Sequence, residues 1–190
     1  MKLAVAVAAG AVLLAATSNT GANREDEGWR AFSEVATVLT HPRCLNCHVP
    51  GDSPLQGDEG RPHDMNVRRA ADGRGTPAAR CTNCHQAANS PAPHSPPGAP
   101  DWRLPPPSAR MAWRGLTTEE ICRSLKDPGR NGGRGLSQLV EHVSKDQIVN
   151  WGWDPGPGRG APPLSHGEFV RRFVQWAESG APCGLFQERR

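Results

Sequence analysis

The 190-residue chain has no tyrosine, only four phenylalanines and six tryptophans, and no stretch that alternates polar and apolar residues as a strand would. An all-β sandwich or barrel is therefore not expected. Dense blocks of Lys or Arg are also missing: 22 basic and 19 acidic residues leave a formal charge of +3. That charge is too diffuse for a nucleic-acid surface, so no nucleic-acid partner is expected; a weak pull toward an acidic partner is the most it supports. No phosphate loop, nucleophile elbow or paired-carboxylate arrangement stands out. Glycine and proline, by contrast, number 21 and 19. With so many breakers and so few aromatics, the polypeptide alone is expected to make a thin core. Such a composition fits either disorder or a chain wrapped around a broad apolar object that is not protein.

The first residues set the compartment. Lys2 gives a positive start, Leu3 to Ala16 is a run of 14 apolar or small residues, and Thr17 to Ala22 is small and polar. That is the build of a secretory leader, expected at residues 1–22 and too short to span a bilayer as a helix. The remainder, residues 23–190, is one domain by size. It is expected in the periplasm, with no integral membrane segment after cleavage.

The fold class read from the pattern is mainly α, with long irregular Gly/Pro-rich loops. Trp29, Phe32, Ala36 and Leu39 recur at helical spacing, and Pro42 is expected to stop that helix. Residues 50–79 show almost no periodicity. Residues 91–107 hold eight prolines, which favours an extended strap. Thr117 with Glu120, and Ser165 with Glu168, are capping-box signatures at the heads of two helices, and Leu136, Leu139, Val140 and Val143 mark another.

The decisive pattern is Cys44-Leu45-Asn46-Cys47-His48, repeated as Cys81-Thr82-Asn83-Cys84-His85. Cys-x-x-Cys-His is the attachment signature of c-type haem. Two thiols three positions apart lie on one side of a helical turn, where each forms a thioether with a porphyrin vinyl group, and the next residue points at the iron. From the chain's own Cys and His frequencies, one such motif arises by chance in roughly one sequence in a hundred, and two on the order of one in ten thousand. The competing assignment is a four-thiolate zinc site across the 33-residue gap from Cys47 to Cys81. Zinc, however, needs no His after both pairs. Two haem c groups are therefore expected, held by Cys44, Cys47, Cys81 and Cys84, with His48 and His85 as proximal iron ligands. They would also supply the missing core, so that without haem the chain should not fold.

The opposite face of each iron decides between sealed electron transfer and an open site that binds small molecules. His63, Met111 and His142 are the candidates; Met65 is a weaker one. His41 sits too near its own motif, and His94 and His166 read as solvated. Cys122 and Cys183 have no haem role and are expected to pair in an exported protein. Arg130 to Arg134 reads either as a cradle for haem propionates or as a surface turn.

With His41-Pro42-Arg43, Gly51-Asp52-Ser53-Pro54, Met111-Ala112-Trp113, Leu125 to Pro128, Asn131-Gly132-Gly133, Trp151-Gly152-Trp153 and Gly180 to Cys183, the chain resembles small bacterial haem proteins called isoquinoline 1-oxidoreductase subunit. The likeness covers most of residues 23–190. It implies one dihaem domain and, as partner, a molybdenum hydroxylase whose electrons a periplasmic cytochrome collects. The expectation is thus a single domain packed around two covalent haems. It acts as an electron carrier rather than an enzyme, exchanging electrons with partner proteins such as that hydroxylase or a respiratory-chain component. The alternative is a haem enzyme or sensor with one open iron.

Overall fold

Apolar side chains at Trp29, Phe32, Val35, Ala36, Val38 and Leu39 fall on one stripe of a helix and are buried there. In the computed structural model this helix, α1, runs from Ala6 to Leu39. The structure describes residues 6–186, and side chains from residue 21 onward. The expected leader, residues 1–22, lies almost wholly outside the described side chains. Among the described residues, no helix is long and apolar enough to cross a membrane.

Pro42 acts as a start as well as a stop. A residue before proline avoids the α region, and His41 adopts ψ 148°. The helix therefore ends at Leu39, and Pro42 takes the first position of a new turn, α2 (Pro42–Leu45), where a missing N–H costs nothing. The Arg43 N–H donates to His41 Nδ1 at 3.3 Å and caps that turn. The device recurs at Asp127–Pro128, which ends α3 (Thr118–Lys126) and opens α4 (Pro128–Asn131), the Asp127 carboxylate accepting from Gly129 N–H. The capping boxes Thr117/Glu120 and Ser165/Glu168 both close, at the heads of α3 and α7 (His166–Glu178). Between them lie α5 (Leu136–Lys145) and the short α6 (Gln147–Asn150).

The non-periodic segment from residue 50 to 80 is more ordered than its composition suggests. It forms two minimal antiparallel hairpins: β1 (Leu55–Gln56) with β2 (Arg61–Pro62), and β3 (Gly75–Thr76) with β4 (Ala79–Arg80). Leu55 faces Pro62 and Gly75 faces Arg80. The proline-rich segment 91–107 is irregular rather than one extended strap: turns interrupt it, with positive φ at His94 (61°) and Asp101 (56°).

The chain is a single, mainly helical unit, and its described residues form two apolar clusters. The larger is built by α1, α3, α5 and α7 and holds Trp29, Phe32, Trp113, Phe169, Phe173 and Trp176, with Trp153 at its margin. Few aromatics suffice for it because most of them converge on one place. Close approach also helps. A Cβ on Gly28 would fall 2.5 Å from Ser179 Cβ, so only glycine lets α1 meet the tail that follows α7. That tail is tied down by the Cys122–Cys183 disulfide, with Cα atoms 5.5 Å apart. Trp176 Nε1 and Lys126 Nζ also donate to the carbonyls of Pro182 and Ala181. The smaller cluster contains Cys81, Ala99 and Trp102, edged by Ile148 and Trp151. It lies among the loops, where protein side chains supply little apolar mass.

Candidate functional site

The two Cys-x-x-Cys-His segments fold alike. In the first, the N–H groups of Cys47 and His48 both donate to the Cys44 carbonyl, at 3.2 and 3.0 Å; in the second, those of Cys84 and His85 donate to the Cys81 carbonyl, at 3.2 and 2.9 Å. Each motif is thus one tight turn. The likeness extends beyond the turn. His48 Nδ1 lies 3.0 Å from the Met111 carbonyl and 3.2 Å from that of Arg110, and its ring stacks on Trp113 at 3.8 Å. His85 Nδ1 lies 2.7 Å from the Pro97 carbonyl, and its ring stacks on Trp102 at 4.3 Å with the planes 5° apart.

A carbonyl can only accept, so Nδ1 carries the proton in both rings and the lone pair sits on Nε2, ready for a metal. Burial holds His48 in the neutral form by lowering its pKa to about 4, and lowers that of His85 as well. The thiols respond in the opposite sense: burial pushes Cys44 up to about 12 and Cys47 to about 11. Among the described residues, no three His, Cys, Asp or Glu side chains converge to hold a metal ion. The four thiols are therefore not arranged as a tetrahedral site. A haem iron, already bound by four porphyrin nitrogens, needs no such cluster.

Whether these residues suit a haem can be tested on buried polar atoms. Among the described residues, five such side-chain atoms have no hydrogen-bond partner: Arg43 Nε, Asn46 Oδ1, Arg69 Nε, Trp113 Nε1 and Asn150 Oδ1. Arg43 and Asn46 belong to or adjoin the first motif, Arg69 donates to the Cys47 carbonyl, and Trp113 stacks on His48. Asn150 precedes Trp151, over whose ring the Arg43 guanidinium lies. Orphaned buried polar atoms are rare and costly. Here they gather around one motif; three are donors, and two of those belong to guanidiniums that match carboxylates such as haem propionates. Arg43 also pairs with Asp58, and Arg69 Nη1 lies 4.0 Å from Asp52. The donor set fits the group.

Sequence reasoning missed these arginines. It pointed instead to Arg130–Arg134, which is a turn wrapped around buried Asn131: the Asn131 amide donates to the Leu125 and Arg134 carbonyls, while Arg130 faces solvent beside Asp127. Arg43 had a signal, its place directly before Cys44. Arg69 had none.

The distal candidates differ in their surroundings. The Met111 carbonyl accepts from His48 Nδ1, and its side chain is buried in the large cluster. Met65 is 86% exposed. His41 caps α2, and His166 Nε2 is engaged by the Val143 carbonyl at 2.9 Å. His142 Nδ1 lies 3.3 Å from Asp146 Oδ2 on its own helix end. The His63 ring centroid is 6.0 Å from that of His85. Comparison with models of known protein families, with curated proteins and with solved structures yields no match for this chain.

Proposed function

We propose that the protein is an electron carrier of the periplasm that holds two c-type haems. Cys44 and Cys47 tether one and Cys81 and Cys84 the other, with His48 and His85 as proximal iron ligands. One observation carries this reading: the same three-part arrangement occurs twice, a Cys-x-x-Cys-His turn, an imidazole whose Nδ1 is held by a backbone carbonyl, and a tryptophan stacked on that ring. Random cysteine pairs do not repeat such a second layer.

When bound, the haems supply reversible one-electron exchange at iron. The protein's own contribution is to fix each imidazole. The carbonyls of Met111 and Pro97 hold the tautomer, the tryptophans hold the ring plane, and buried Arg43 and Arg69 stand ready for carboxylate groups. The Cys122–Cys183 bridge supports an oxidising compartment. The resemblance to isoquinoline 1-oxidoreductase subunits suggests as partner an exported oxidoreductase such as a molybdenum hydroxylase, with a respiratory component as the other candidate. The test is a pyridine haemochrome assay on protein made in cells that mature c-type cytochromes. Two haems per chain are expected, and fewer than two overturn the proposal.

A further inference from the structure

One proximal ring, that of His85, has a second histidine close to it, carried by a different part of the chain. The hairpin of β1 and β2 starts from the first motif: Leu55 N–H donates to the Asn46 carbonyl, and Asn46 Nδ2 donates to that of Gly57. Past β2, His63 N–H donates to the Pro54 carbonyl. The result is that a loop rooted in the first motif carries His63 to within 6.0 Å, centroid to centroid, of His85 of the second motif. Two imidazoles sharing one metal from opposite sides, each at about 2 Å from it, hold their centroids roughly 6 Å apart.

The side chain is also prepared. His63 Nδ1 lies 2.7 Å from the Asp64 carbonyl. His63 and His85 thus both have Nδ1 occupied, which leaves both Nε2 atoms for metal.

We propose that His63 caps the iron carried by His85, giving that centre two imidazole ligands. This rests on the dihaem reading above, and haem counting tells the two failures apart. Oxidised wild-type protein is examined by electron paramagnetic resonance and near-infrared magnetic circular dichroism, and the reduced protein is titrated with carbon monoxide. His63→Ala and His63→Met are treated alike. A low-spin bis-imidazole signal is expected of the wild type. The alanine variant should keep two haems, lose that signal and take up one more carbon monoxide per chain than the wild type. The methionine variant should regain six-coordination and show a thioether-to-iron band absent from the wild type. Where the alanine variant fails to fold, the wild-type spectra and the methionine variant decide. A wild-type spectrum with no bis-imidazole signal overturns the assignment, as does a variant whose signals match those of the wild type. Fewer than two haems in wild-type protein overturn the dihaem reading itself, and this assignment with it.

Discussion

Replacing Trp102 by alanine should loosen the second motif while leaving the helical core intact. Trp102 is 9% exposed, stacks on His85 at 4.3 Å and meets the edge of Trp151 at 4.8 Å. The two ring contacts are worth roughly 0.5–1.5 kcal/mol each beyond burial. With the cavity included, removing a buried tryptophan costs about 3–5 kcal/mol. None of that loss falls on the large cluster, because Trp102 belongs to the small one with Cys81 and Ala99. The measurement is amide hydrogen exchange, comparing variant and wild type in the same cofactor state. Protection at the amides of Cys84, His85 and Leu104 should fall by about two to four orders of magnitude, in proportion to the local free energy lost. The amides of α1 and α7 should exchange as before. A uniform drop across the chain, or none at Cys84 and His85, would refute the separation into two clusters.

Other perturbations address the remaining parts. Replacing Cys122 and Cys183 together by alanine opens a loop of sequence separation 61 and should lower stability by about 4 kcal/mol on the chain-entropy account, read from denaturant midpoints; an unchanged midpoint refutes a structural role for the bridge. Gly98→Ala would set a Cβ 2.1 Å from the Ala88 carbonyl oxygen and push away the neighbouring Pro97 carbonyl that holds His85. The expected result is a changed magnetic resonance signal from one centre of two; an unaltered spectrum means that this carbonyl does not orient the ring. Arg69→Met removes a buried positive charge beside Cys47. It should lower one midpoint potential by tens of millivolts, on the order of 1–2 kcal/mol for a charge roughly 10 Å away at an effective dielectric near 20. A potentiometric titration that shows no shift, or a rise, counts against Arg69 as a haem partner.

Local order followed closely from the sequence. Thr117, Glu120, Ser165 and Glu168 state their capping boxes in the chain itself, since a box is closed by side chains three residues apart. The apolar stripe from Trp29 to Leu39 announces a buried helix face for the same reason. Prolines were harder to interpret, because a residue that ends one helix is equally suited to open the next, as Pro42 and Pro128 both do. The hairpins at residues 55–62 and 75–80 carry no alternating pattern at all, each strand being two residues long.

The sequence by itself determined what it spells out in consecutive letters: two Cys-x-x-Cys-His turns, whose thiols and imidazole lie near one another because they belong to five adjacent residues. Only the tertiary structure decided what surrounds them. The carbonyls of Met111 and Pro97 at the Nδ1 atoms, Trp113 and Trp102 against the rings, Arg43 and Arg69 beside the first motif, and His63 close to His85 are relations across 12 to 63 positions for the hydrogen-bonded pairs alone. Those relations depend on how hairpins and helices pack, and packing leaves no periodic trace in a stretch of glycine, proline and arginine.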